Sequence, residues 1–220
     1  MKKALCLVPV ITLLFAVSGF AQLNAQTGPD NAPKVGEMAP DFQVSGGGRG
    51  AAPVSLKDYQ GKKKVLLMFF PGAFTPGCTT EFTEAGQFYD KINALNIQML
   101  GVSADLPGAQ RAFKDSVSPK DASGKPLPLE NLTFVSDRTL AIATKYDAAN
   151  ANAAKRYYFL IDETGKIVWR SVTGGLIPTE KLLADLGTAV RSANQTSLEP
   201  RIARIMRCRA RIGAIRAIRS

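Results

Sequence analysis

The sequence predicts an α/β domain with a mixed central sheet, and two observations carry that reading. Short apolar runs at Val65–Phe70, Ile97–Ser103 and Leu132–Ser136 alternate with stretches of helical spacing, the pattern of strands joined by helical crossovers. Two further runs, Tyr157–Ile161 and Lys166–Ser171, flank Asp162-Glu163-Thr164-Gly165, a hairpin signal that adds antiparallel strands. Charge bounds the partners. Of the net +10 over 220 residues, Lys2, Lys3 and the seven arginines of 200–220 account for nine, leaving residues 26–199 at +1. That segment is long enough to bury a sizeable core and has no basic footprint for nucleic acid.

Taken in order, Met1–Ala25 opens with Lys2-Lys3, runs apolar from Ala4 to Val17 and ends in small residues, the layout of a secretory signal peptide. The protein is therefore expected to be secreted or periplasmic, or membrane-anchored if the segment is not cleaved. Residues 26–34 begin an extended arm that runs to Pro40, residues 35–191 form the domain, and residues 192–220 form a basic tail. Phe42–Val44 reads as a first strand and Ser45–Ala52 as a glycine-rich turn. The GGGRG within it lacks the following Lys-Ser/Thr of a phosphate cradle. Val54–Tyr59 then leads through Gly61 and Lys62–Lys64 into the central strand, which Pro71-Gly72 stops.

A short loop next sets down Cys78 where a helix begins. Thr79 and Thr80 are cap-type residues, Glu81 and Glu84 suit a positive first turn, and Phe82, Phe88 and Tyr89 supply apolar positions. After the second strand, Pro107–Val117 has helical spacing, with Ala109, Ala112, Phe113 and Val117 on one side. Ser118–Asn131, with three prolines, is a loop. Leu140–Tyr146 is a short helix, and Pro178–Val190 closes the domain as an amphipathic one. Trp169, the sole tryptophan, is a packing residue.

A thiol at a helix N-terminus has chemical consequences. The thiolate is the nucleophile, and an ordinary cysteine is only about 3% ionised at pH 7. Unpaired N–H groups and the helix dipole favour the anion by about 2 kcal/mol at most, so a cation or directed hydrogen bonds must add to them. Read alone, a single cysteine is as well a small buried hydrophobe. Glu81 is equally an ordinary first-turn carboxylate.

Pro71, Thr75 and Cys78 stand at the spacing P-x-x-x-T-x-x-C, which resembles the active-site signature of the peroxiredoxins, the alkyl hydroperoxide reductase and thiol-specific antioxidant family. PGAFTPGC also resembles the peroxiredoxin-5 type. Arg156-Tyr157-Tyr158-Phe159-Leu160-Ile161-Asp162 is similar to the R-x-x-F-x-I-D strand that carries the family's arginine. The likeness spans Val35–Arg191 and implies a thioredoxin-like fold, which the element order also fits. It implies a thiol peroxidase that reduces hydrogen peroxide and organic hydroperoxides through a cysteine sulfenic acid. Cys78 would attack, Thr75 would hydrogen-bond, Arg156 would hold the thiolate and polarise the peroxide, Pro71 would shape the loop and shield the sulfur, and Glu81 would orient the arginine.

The sequence departs from relatives at the resolving step. The bacterioferritin-comigratory type often carries a second cysteine five positions on, where this chain has Thr83, and no C-x-x-C occurs. Cys6 lies in the signal segment. Two routes remain: a one-Cys enzyme reduced by an external thiol, small or on a thioredoxin-like protein, or resolution by Cys208 of the same chain or of a partner in a homodimer. No metal, haem or flavin is needed, and the absence of histidine excludes a His-based metal site or a Cys–His dyad. Other readings are a thioredoxin-like thiol:disulfide oxidoreductase and a non-catalytic binding module. The latter would dock through arginines 201, 204, 207 and 211, whose helical spacing suits a membrane surface or a polyanion.

Overall fold

The computed structural model describes residues 30–44 and 53–196. The signal segment with Cys6, the glycine-rich turn Ser45–Ala52 and the basic tail with Cys208 lie outside the described residues. A small ribbon of β1 (Gln43–Val44) and β2 (Val54–Ser55) comes first, followed by a 3₁₀ turn, Leu56–Tyr59. The chain continues with β3 (Lys64–Phe69), α1 (Pro76–Gln87), α2 (Tyr89–Ala94), β4 (Ile97–Ser103), α3 (Pro107–Val117), β5 (Leu132–Ser136) and α4 (Ala141–Lys145). Last come a two-residue ribbon, β6 (Ala149–Asn150) with β7 (Ala153–Ala154), the hairpin β8 (Tyr157–Ile161) and β9 (Ile167–Ser171), and α5, helical over residues 179–196.

Five strands form one sheet in the order β5-β4-β3-β8-β9. β3, β4 and β5 are parallel, β8 runs antiparallel to β3, and β9 runs antiparallel to β8. Every residue of β3, β4 and β8 is buried, as expected of strands covered on both faces. The two-residue period sorts them. Leu66, Met68 and Phe70 point to a core shared with Cys78, Phe82, Phe113, Tyr158, Leu182 and Leu186, so α1, α3 and α5 cover that face. Val65, Leu67 and Phe69 point the other way, toward Leu56, Ile142 and Tyr146. Each such fully buried side chain contributes about 1.5–3 kcal/mol.

Gly101, mid-strand in β4, is explained by this packing. A Cβ there would lie 2.7 Å from the Phe134 ring, which stacks edge-on against Phe82 with centroids 4.8 Å apart. The glycine makes room for the aromatic cluster.

Most expected elements appear where the sequence puts them, with instructive differences. α1 begins at Pro76, with Thr75 as its extended cap residue, because proline suits the first helical position. Thr79 and Thr80 are consequently inside the helix, and Thr80 Oγ1 donates back to Pro76 O at 3.1 Å. The helix stops at Phe88 and restarts as α2. α5 runs beyond Val190 because nothing in 191–196 is glycine or proline.

The arm ahead of β1 lies along the outer edge of β9. Gly36 N donates to Ile167 O at 2.8 Å, Ile167 N to Glu37 O at 2.9 Å, and Ala39 N to Gly165 O at 2.9 Å. Arg170 Nη1 reaches Asp30 Oδ1 at 3.0 Å and Ala32 O at 3.1 Å. Hydrogen bonding from Arg170, then from Lys34, holds the Asp30 carboxyl well below the usual range.

Candidate active site

β3 delivers the chain to the carboxyl end of the sheet, where open α/β folds place their ligand crevices. Pro71 starts the loop there and is exposed. Phe74 adopts a left-handed backbone, φ 61°, which costs an L-residue about 1–2 kcal/mol and needs support. Asp105, just past the end of β4, provides it. Its Oδ2 accepts from Ala73 N at 2.7 Å and from Ser103 Oγ at 2.8 Å. The Phe74 ring also packs on Phe113, with centroids 5.3 Å apart.

Thr75 ends the loop and begins α1 without a side-chain cap; its hydroxyl donates to Gly72 O at 3.0 Å. That leaves the oxygen's lone pairs for an incoming donor. Cys78 is the third helical residue, a free thiol with 0% exposure, set among Phe70, Phe82 and Tyr158. These core side chains keep the sulfur from water.

Arg156, one residue ahead of β8, brings Nη2 to 3.0 Å from Cys78 Sγ and Nε to 3.0 Å from Glu81 Oε2. Tyr158 OH donates to Glu81 Oε1 at 2.6 Å. The geometry follows from two periodicities. Cys78 and Glu81 lie three apart on α1, and Arg156 and Tyr158 two apart where the chain enters β8, so each pair shares a face. A Cβ at Gly77 would sit 3.4 Å from Arg156 Nη2, an ordinary van der Waals contact, so the guanidinium lies close over the first turn of α1.

Electrostatics follow the contacts. Burial pushes the Glu81 carboxyl up, against the Tyr158 hydrogen bond and the Arg156 charge, which pull it down. Burial opposes the charge on Arg156, but Glu81 and Cys78 together hold its affinity for the proton above the ordinary value. The Tyr158 phenol is pushed up, by burial first and by Glu81 second, and so stays a donor.

The structure thus unites Cys78, Arg156 and Glu81, with Thr75 and Pro71 on the adjoining loop. Glu81 is not in the first turn of α1, which holds no acidic residue; it pairs with Arg156, and Glu84 accepts from Thr179 Oγ1 at 2.7 Å. Thr83 lies mid-helix on α1. Trp169 packs half-buried against the core. Sequence reasoning missed Tyr158 and Asp105. The first had a signal in its position two residues after Arg156, the second in following a strand that ends beside β3. Among the described residues, no three His, Cys, Asp or Glu gather as metal ligands would.

Residues 35–170 match the model of the AhpC/TSA family. The chain is 33% identical over 135 residues to peroxiredoxin 2 of Caldanaerobacter subterraneus subsp. tengcongensis, covering 60% of this chain and 57% of that protein. It is also 33% identical over 141 residues to the chloroplastic 2-Cys peroxiredoxin BAS1 of Arabidopsis thaliana, covering 63% and 52%. The chain therefore spans a little over half the length of these curated relatives. The reduced 2-Cys peroxiredoxin of Plasmodium vivax superposes with a TM-score of 0.61 at 25% identity, over 74% of this chain and 99% of that one. Peroxidoxin BcpB of Mycobacterium tuberculosis gives 0.58 at 22%, over 70% and 97%. The architecture is the thioredoxin-like α/β fold, and by the 35–170 match that carries the P-x-x-x-T-x-x-C loop and its arginine, the chain belongs to the AhpC/TSA family, the peroxiredoxins.

Proposed function

We propose that the protein is a thiol peroxidase that reduces hydrogen peroxide and organic hydroperoxides at Cys78. One observation carries this reading: a buried free thiol near a helix N-terminus with a paired arginine nitrogen 3.0 Å from its sulfur. Arg156 holds the thiolate and faces the O–O bond as it breaks. Thr75 Oγ, its own proton given to Gly72 O, accepts from the hydroperoxide O–H. The thiolate attacks the terminal oxygen and an S–O bond forms. The O–O electron pair leaves on the distal oxygen, which takes a proton and departs as water or an alcohol. Sulfur is oxidised by two electrons to the sulfenic acid, and the peroxide is reduced. A reductant thiol then condenses with the sulfenic acid, releasing water, and a second thiol frees Cys78 from the mixed disulfide.

The one-Cys route fits best, because Thr83 fills the usual nearby resolving position and no C-x-x-C occurs in the sequence. The subtype is bacterioferritin-comigratory or peroxiredoxin-5-like, the PGAFTPGC loop supporting the latter. The reductant is a small thiol or a thioredoxin-like protein, and the chain acts as a monomer or homodimer. The leader-like Met1–Ala25 supports a secreted or periplasmic location.

The test is peroxide consumption by the full-length protein in excess dithiothreitol, with the oxidised thiol trapped by a sulfenic-acid reagent and located by mass. Turnover with the label on Cys78, lost in Cys78→Ser, is expected. A Cys78–Cys208 disulfide in place of the label overturns the one-Cys route. No turnover and an unmodified Cys78 overturn the peroxidase itself.

A further inference from the structure

Tyr158 has no part in the peroxide step above, yet it ends the chain of contacts that begins at the sulfur. Its ring is 1% exposed, and its hydroxyl occupies Glu81 Oε1 while Arg156 Nε occupies Oε2. Each carboxylate oxygen thus has one donor. A guanidinium is planar and its donors are fixed in a fork. Seating Nε on Glu81 therefore aims Nη2, the nitrogen on Cys78. Without a donor on Oε1 the carboxylate is free to turn about its last torsion, which is broad. The arginine turns with it.

We propose that Tyr158 is a positioning residue, acting through Glu81 to keep Arg156 on Cys78. The inference rests on the peroxidase reading and names what locks that reading's arginine. Two further facts agree with it. Burial favours a neutral Glu81, and the Tyr158 hydrogen bond is the first influence opposing it, ahead of the arginine charge. Tyr158 stays protonated and so remains a donor to an ionised Glu81. Cys78 lies one turn back on α1, and Arg156 and Tyr158 approach from the strand.

Tyr158→Phe in the full-length protein removes one oxygen and keeps the ring. Two rates at Cys78 are followed by mass at about pH 10, above the ordinary thiol value, so that ionisation does not depend on the arginine: oxidation by hydrogen peroxide, which needs an aimed guanidinium at the O–O bond, and alkylation by iodoacetamide, which needs only the thiolate. The peroxide rate is expected to fall about tenfold, the worth of one hydrogen bond to a charged group, with alkylation changed less than about threefold. A peroxide rate within about twofold of wild type, or both rates falling together as packing damage would cause, overturns the role.

Glu81→Gln is the second variant and is expected to show the same split. In that background Tyr158→Phe adds no further loss, because its effect runs through the carboxylate. A second full loss there overturns the relay. A wild-type protein unreactive to peroxide at Cys78 removes the peroxidase reading and this role together, whereas a reactive wild type beside an equally reactive Tyr158→Phe removes only the role.

Discussion

Replacing Arg156 with lysine keeps a cation at the site and removes the fork that serves two partners. The native guanidinium donates from Nε to Glu81 and from Nη2 to Cys78, each at 3.0 Å. An ammonium offers its donors from one point, so it can satisfy one of these groups and must abandon the other. A hydrogen bond to a charged group contributes about 1.5–3 kcal/mol, and each 1.36 kcal/mol is about tenfold in rate. If the sulfur is abandoned, kcat/KM for hydrogen peroxide falls about 10- to 150-fold. If Glu81 is abandoned, a carboxylate only 5% exposed loses its charge partner. The melting midpoint then drops by about 3–12 °C, at about 2–4 °C per kcal/mol for a domain of this size. Stopped-flow peroxide kinetics and calorimetry on the same preparation read both. An Arg156→Lys protein within about threefold in rate and about 1 °C in midpoint refutes the two-partner reasoning.

Two more outcomes are expected. Asp105→Ala frees Ala73 N and removes the support for the left-handed Phe74. It should cost about 1–3 kcal/mol by denaturant unfolding and slow the peroxide reaction, with Asp105→Asn, which still accepts, closer to wild type; equal stability of Asp105→Ala and wild type contradicts the clamp. The Asp30 carboxyl, held low by Arg170 and Lys34, stabilises the arm above the ordinary carboxylate value, and that contribution fades as pH falls toward the lowered folded value. Amide protection at Gly36 and Ala39 should therefore weaken below about pH 4, and Asp30→Asn should weaken it at pH 7. Protection at pH 7 identical to wild type in that variant would show that the arm does not depend on the pair.

The sheet was legible because its strands are buried on both faces, which forces near-continuous apolar runs such as LLMFF and YYFLI that few other elements tolerate. The thiol and its arginine were legible through two motifs far apart in sequence. What escaped depends on three-dimensional neighbours. Tyr158 looked like another core aromatic, since nothing in a strand pattern says that its oxygen meets a carboxylate from a helix. Asp105 looked like a residue ending a strand, since its partner Ala73 lies 32 positions away. The start of α1 was misplaced because Thr79 and Thr80 have the chemistry of caps, while Pro76, suited to the first helical position, decides where the helix begins.

The arm along β9 bears on how this molecule meets its neighbours. An outermost strand offers a row of open amides and carbonyls on which another chain can continue the sheet. Here Gly36, Glu37 and Ala39 occupy the Gly165–Ile167 end of that row, and the Asp30–Arg170 pair fastens the cover. The molecule thus carries its own stopper against edge-to-edge sheet growth on that side. Proteolysis after Lys34 would sever Asp30 from the rest of the arm and leave the stopper held by main-chain bonds alone.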